Sequence, residues 1–335
     1  MSADDVTSIG PLNRRSGSFG GADLTGEMAA VALLAVALAL WWLWKWHPSL
    51  LPFWAPYEFS WPEFLAIWLT IGWYVRGLAL TAAVERPPAW RQLSFLCGML
   101  VIYAMVQTRF DYLAQHMFFL NRLQHLGMHH LGPFLVALSW PGATIKLGMP
   151  SPLRRLVAHP VVAATVNVLQ RPMVAAVLFA GLVALWLIPP VHFHAMINTD
   201  LYAFMNWSMV VDGVLFWCLV LDPRPKPPAR TSFGTRLALV LAVMFPQSVI
   251  GASIAFADGD LYPSYDLCGR LYPAIDAHTD QMLGALIGGI PAATINVLAL
   301  LLVVKSLARW EETKKEGDFG RNIPDAIEVS LCAES

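Results

Sequence analysis

The chain has 335 residues, of which 57% are hydrophobic and 13% are charged, whereas a soluble domain carries about 25% charged residues. Long apolar runs replace the missing charge, which is typical of a protein that spans a bilayer. The net charge of −1 argues against nucleic acid as a partner, because phosphate binding needs a basic surface. The four cysteines form no CxxC pair, so they predict neither a disulfide framework nor a zinc knuckle.

Eight apolar segments follow one another along the chain, each close to the ~20 residues that a bilayer requires. They predict an all-α, polytopic transmembrane helix bundle of about eight spans, at roughly 27–46, 62–83, 92–109, 117–140, 173–188, 200–221, 235–256 and 281–304. We expect residues 1–26 to form a disordered segment, 27–305 the transmembrane domain and 306–335 a charged tail. The first apolar run ends in four tryptophans within six residues, which favours an anchored helix over a cleaved signal peptide.

The lysines and arginines predict the orientation of the bundle. With eight spans, 18 of the 22 basic residues fall on the side of the two termini and 4 on the other side. Because short cytoplasmic loops collect lysine and arginine, we expect both termini, and thus segments 1–26 and 306–335, to be cytoplasmic. Eight of the nine histidines then lie at the outer face or in the outer and central part of the bilayer: His47, His116, His125, His129, His130, His192, His194 and His278.

The fourth predicted span carries the densest group of these histidines. His125 and His129 are four residues apart, so they project from one helical face and predict a two-point clamp for a metal ion. His130 is adjacent, and Pro133 predicts a kink just below the clamp. The alternative is that these imidazoles only form hydrogen bonds between helices. Three within six residues favour the metal site, since polar groups in hydrocarbon are costly and mark function.

Other candidate ligands flank the clamp in the predicted fold. His192 borders the membrane just before the sixth span, where Met205 and Met209 share a face. Imidazole and thioether ligands together suit Cu(I), although methionine also simply fills gaps between helices. Asp280 begins the eighth span, where it is either a helix cap or a ligand or orienting group.

Two polar or kinked features lie within the predicted spans themselves. Asp212 is the one carboxylate deep in a span, and we expect it to pair with Arg76 at similar depth. Pro246 and Pro291, like Pro133, fall near mid-span. Kinks at one depth would open a polar pocket, although packing alone tolerates them.

Several ordered motifs are similar to those of one family. The run QHLGMHHLGPFLVALSWP, from Gln124 to Pro141, resembles the central motif of the CtaG-like cytochrome c oxidase assembly factors, including prolines eight and sixteen residues after His125. Other similar segments are WRQLSFLCG at Trp90, VHFHAMIN at Val191, GVLFWCLVLDPRP at Gly213, LYPSYDLCGR at Leu261 and DQMLGALIGGIP at Asp280. The similarity covers about residues 45–305. One departure is Asn121, where the family often has a histidine.

The resemblance implies a multi-pass protein of the inner cell membrane that helps to form active cytochrome c oxidase by supplying copper. We therefore expect Cu(I) to enter from the outer side, where a copper chaperone is a possible source, and to pass by ligand exchange, without catalysis, to a docked oxidase subunit. The expected ligands are His116, His125, His129, His192 and Asp280. Three alternatives stay open: an intramembrane zinc-dependent hydrolase, a haem-binding membrane cytochrome, and a scaffold that binds oxidase subunits without metal.

Overall fold

A computed structural model of the chain describes residues 19–321, which are helical with no β-strand among them. The α-helices are α1 (Phe19–Trp46), α2 (Trp61–Leu80), α3 (Ala89–Gln107), α4 (Arg109–Ala114), α5 (Phe118–His125), α6 (Gly132–Ser139), α7 (Gly142–Gly148), α8 (Ser151–Val157), α9 (Pro160–Leu169), α10 (Pro172–Leu187), α11 (Pro189–Ile197), α12 (Thr199–Val220), α13 (Phe233–Ala255), α14 (Ser264–Cys268) and α15 (Ala277–Arg321). A π-helical turn, Leu126–Leu131, joins α5 to α6 without a break. The all-α prediction is confirmed.

Each of the eight predicted spans coincides with a helix, but the count of eight is not confirmed. Within the described residues, five helices are long and apolar enough to cross a membrane: α2, α3, α12, α13 and the part of α15 at Ala277–Lys315. The pair α9 and α10, bent by 71°, would make six. Of the other two predicted spans, the described apolar stretch of α1 is the shorter Val31–Trp46, and the fourth consists of α5, the π-helical turn and α6. These helices indicate a multi-pass membrane protein.

The predicted domain boundaries fall partly outside the described residues. Residues 1–18 and 322–335 belong to that outside part, so the terminal segments predicted at 1–26 and 306–335 are described only in part. α1 begins at Phe19 and α15 extends to Arg321. The cytoplasmic position of the termini stays a prediction.

The continuous helical segment Phe118–Ser139 lies at the centre of the bundle, against α3, α12 and α15. Glycines allow these close approaches. A Cβ atom on Gly98 of α3 would stand 2.7 Å from the carbonyl oxygen of Gly132, and one on Gly284 of α15 would stand 2.3 Å from the ring of Phe118. Because lipid is as apolar as leucine, small residues and close packing, rather than burial from water, hold such helices together.

Candidate metal centre

The site is built around the π-helical turn that precedes Pro133. Pro133 has no backbone N–H, so it cannot donate to the carbonyl of His129, the residue four positions earlier. Trp217 of α12 supplies a donor instead, with its indole Nε1 3.3 Å from that carbonyl oxygen. Gly213, one helical turn earlier in α12, gives the room for this contact. The distortion predicted from Pro133 is therefore a π-helical turn, which α12 contacts through Trp217 and Gly213.

Two imidazoles of this turn are held by polar side chains from other helices. His129 Nε2 lies 3.1 Å from Asp212 Oδ2, and the His129 ring stacks on Phe179 at 4.1 Å between centroids. His130 Nε2 lies 3.4 Å from Gln247 Oε1. The two histidine rings are 4.8 Å apart and nearly perpendicular. In each ring, a contact from another helix therefore fixes one nitrogen, and this contact also sets the direction of the second nitrogen.

The remaining imidazole nitrogens are buried without a hydrogen-bond partner among the described residues. They are both ring nitrogens of His125 and the Nδ1 atoms of His129 and His130. A carboxylate that accepts from Nε2–H leaves Nδ1 as the nitrogen with the available lone pair. Burying such a group unsatisfied costs about 1–3 kcal/mol, so four such nitrogens on three neighbouring residues form a candidate binding site.

These three histidines share one small cavity of about 40 Å³. Arg122, Met209 and Gln247 also line it, and the rest of the wall is apolar. A single water needs about 10–15 Å³ on this scale, so the cavity has room for one metal ion or very few waters. It lies beside the residues that follow Pro246 and Pro291, namely Gln247 and Ala292, at the depth where the proline pattern places a polar pocket.

The five predicted ligands do not converge as a set. His125 and His129 reach the cavity, but His192 does not line it. The Nδ1 atom of His192 lies 3.0 Å from the carbonyl oxygen of Trp186, and its Nε2 lies 2.9 Å from the hydroxyl of Tyr265. Both nitrogens are thus occupied. Burial, followed by the charge of Arg122, lowers the pKa of His192 to about 3, so the ring stays neutral.

Asp280 and His116, which were also predicted as metal ligands, do not line the cavity either. Asp280 accepts from the backbone N–H groups of Phe118 and Phe119 at 3.0 and 2.8 Å and pairs with Arg270. It therefore caps α5 through residues 161 and 162 positions away in sequence, because a helix N-terminus favours a carboxylate. His116 is partly exposed, with Nδ1 2.9 Å from the carbonyl oxygen of Tyr112.

Among the side chains that the structure describes, no three from histidine, cysteine, aspartate or glutamate are placed to share one metal ion. An ion in the cavity would therefore have at most two of these side chains as ligands, with the Met209 thioether also in the wall. The role of the His125–His129 pair stays a prediction in this narrower form.

The partner of Asp212 differs from the expected one. Asp212 faces His129, whereas Arg76 donates to the carbonyl of Gly148 at 3.1 Å. The two side chains therefore contact different neighbours. Sequence reasoning also omitted His130 and Gln247 from the ligand shell. The signal for Gln247 was an amide next to the mid-span Pro246.

A second polar network lies beside the first. Asp111 Oδ1 accepts from Gln124, Tyr202 and Asn206, and the Tyr202 hydroxyl also lies 3.1 Å from Gln124 Oε1. Burial raises the pKa of Asp111 to about 7. Gln124 directly precedes His125, so this network fixes the start of the histidine-bearing turn.

Comparison with known proteins gives one match. The family described as "Cytochrome c oxidase caa3 assembly factor (Caa3_CtaG)" matches residues 72–310, which include the histidine cavity and the network around Asp111. Neither the search of curated proteins nor the search of solved structures found a match.

Proposed function

The chain belongs to the family of cytochrome c oxidase caa3 assembly factors, and from this premise we propose that it binds Cu(I) in the histidine cavity and passes it to an oxidase subunit. The ion would be cargo, so no reaction is catalysed. The proposed location is the inner cell membrane. The receiving oxidase subunit would dock on the predicted outer face, and a copper chaperone on that side is the proposed source.

The observation that carries this proposal is the set of unpartnered imidazole nitrogens on His125, His129 and His130 around one buried cavity. Neutral imidazole is a metal ligand, and its combination with the Met209 thioether suits Cu(I). Asp212 is placed to act as the second partner that orients a ligating histidine, as carboxylates do in other metal sites. A weakly held ion with few ligands is also easier to hand on.

The same geometry favours Cu(I) over the zinc hydrolase. A zinc enzyme uses three protein ligands and an open position for water, and no such trio is found among the described side chains. The Arg122 guanidinium lines the cavity, and its repulsion of a bound ion is proportional to the charge of that ion. A monovalent ion is therefore disfavoured only half as much as a divalent one.

The haem alternative also finds less support. Axial ligation of a haem in a bundle takes histidines from two helices, whereas the three histidines of the cavity lie on one segment. The cavity of about 40 Å³ is far below the roughly 300 Å³ or more of a site for a large organic ligand.

The test is the copper content of protein purified in detergent under reducing conditions from copper-supplemented cells. We expect about one copper per chain in the wild type, as the two-imidazole clamp implies, and none in the variant with His125→Ala and His129→Ala. The matched control replaces the exposed His159 and His194 by alanine and keeps its copper.

Three other results would overturn the proposal. These results are copper retained by the double variant, zinc instead of copper in the wild type, and a Soret band in the purified wild type. A folded wild type that supports oxidase assembly without binding any metal would favour the scaffold. Circular dichroism of the double variant separates loss of ligands from loss of fold.

A further inference from the structure

A separate cavity of about 160 Å³ lies among the beginnings of α2, α4 and α12 and the end of α3, on the predicted outer side. Four carboxylate residues line it: Glu58, Glu63, Asp111 and Asp200. None of the described residues in its wall is a lysine or an arginine. Three of the four stand in the first turns of helices, where the helix dipole favours a carboxylate. The helix dipole explains the position of each of these three carboxylates, but it does not explain the amides beside them.

Two buried amides in this wall have a hydrogen-bond partner at the nitrogen and none at the oxygen. Gln107, which is 2% exposed, uses Nε2 to donate to Glu63 Oε2 at 3.3 Å. Asn206, which is 4% exposed, uses Nδ2 to donate to Asp111 Oδ1 at 3.3 Å. The amide oxygens of both residues are buried without a partner in the part of the chain that the structure describes. Each amide nitrogen thus donates to a carboxylate, and each amide oxygen is left without a donor.

Asp111 follows the same pattern. The side chains of Gln124, Tyr202 and Asn206 all donate to its Oδ1, so its Oδ2 keeps both lone pairs. The neighbouring Trp207 donates to Glu63 Oε1 at 3.2 Å, which ties the two carboxylates to one stretch of α12. The wall is a preorganised set of oxygen acceptors.

We propose that this cavity binds a hard cation such as Ca²⁺ through oxygen atoms of Asp111, Glu63, Gln107 and Asn206. Ca²⁺ takes six to eight oxygen ligands, among them carboxylates and amide carbonyls, and completes its shell with water. Since no three carboxylates in the described residues are placed to share an ion, the amide oxygens are essential to the set. The cavity has room for an ion with several waters.

This site differs in chemistry from the histidine cavity. Oxygen donors select hard ions, whereas imidazole and thioether select Cu(I). The cation would join α2, α3, α4 and α12, and through the Gln124–Asp111 contact it would stabilise the start of the segment that carries His125. We therefore expect Ca²⁺ to stabilise the folded protein whether or not copper is bound.

The experiment is calorimetric titration of chelator-treated, detergent-purified full-length protein with CaCl₂. We expect saturable binding that is lost in Asp111→Asn, which keeps the shape and the Oδ1 acceptor, and weakened about tenfold in Glu58→Gln, the loss of about 1.4 kcal/mol. Glu58 is exposed, so its replacement leaves the fold intact. The control Asp258→Asn, an exposed carboxylate outside the cavity, binds like the wild type.

The outcome that overturns the site is an absence of saturable binding, or equal binding in Asp111→Asn and Asp258→Asn. The variant with His125→Ala and His129→Ala distinguishes this site from the copper proposal, because it keeps Ca²⁺ binding if the two cavities are independent. Loss of Ca²⁺ binding there, with the fold intact, would contradict the assignment to the acidic cavity.

Discussion

Replacing Gly213 by alanine tests whether close contact between α12 and the π-helical turn shapes the histidine cavity. A Cβ atom at this position would stand 2.5 Å from the carbonyl oxygen of His129 and 3.0 Å from Cγ of Pro133. Both neighbours are backbone or ring atoms that cannot rotate away. To restore an ordinary contact of 3.4 Å, α12 must move from the turn by roughly 0.9 Å.

The expected magnitude follows from two opposing effects. Overpacking costs about 1–3 kcal/mol, while alanine is more favourable than glycine inside a helix by up to about 1 kcal/mol. Gly181→Ala in α10 is the matched control, because nothing lies within 4 Å of its Cβ position and only the second effect remains. We therefore expect Gly213→Ala to be less stable than Gly181→Ala by about 1–3 kcal/mol.

The assay is denaturant unfolding of both variants in the same detergent, followed by copper content. A shift of this size also lengthens the 3.1 Å contact between His129 and Asp212 beyond hydrogen-bond range, so we expect weaker copper binding in Gly213→Ala alone. Equal unfolding free energies for the two variants would refute the packing argument. If the two variants were equally stable but differed in copper content, Gly213→Ala would have changed the geometry of the cavity without changing the stability of the fold.

Two further predictions concern the residues that the structure removes from the ligand set. The unfolded His192 takes up a proton below about pH 6.5, whereas the buried ring does so only near 3. Lowering the pH from 7 to 5 should thus cost the wild type about 2 kcal/mol more than His192→Gln, as measured by unfolding at both pH values; an equal loss contradicts the burial. Asp280→Asn should cost about 2–3 kcal/mol with or without copper, because the α5 cap and the ion pair with Arg270 weaken. Asp266→Asn, which affects the exposed ion pair of the same arginine, should cost at most about 1 kcal/mol, and similar losses in the two variants would argue against a structural role for Asp280.

Much of the fold was predictable because membrane helices are encoded locally. Runs of apolar residues satisfy the backbone within each helix, so the positions of the predicted spans coincide with helices. The number of helices that can cross was not predictable in this way. Pro133 and the histidines before it convert an apparently regular span into a helix with a π-helical turn, and the bend between α9 and α10 depends on how they pack.

The candidate site shows the same division. The spacing of His125 and His129 is a property of one helix, and the sequence alone placed both on one face. Which imidazole nitrogens stay without a partner depends on Asp212 and Gln247, which lie 83 and 117 residues from the histidines that they contact.

The roles of Asp280 and His192 also depend on the tertiary structure. Both have the chemistry of ligands, yet the fold uses Asp280 to cap α5 and surrounds His192 with hydrogen-bond partners. The sequence by itself determined the helices and the family, and the His125–His129 clamp stays a prediction. Only the tertiary structure decided which polar atoms are satisfied, because a hydrogen bond between distant segments depends on distances and directions that no local pattern contains.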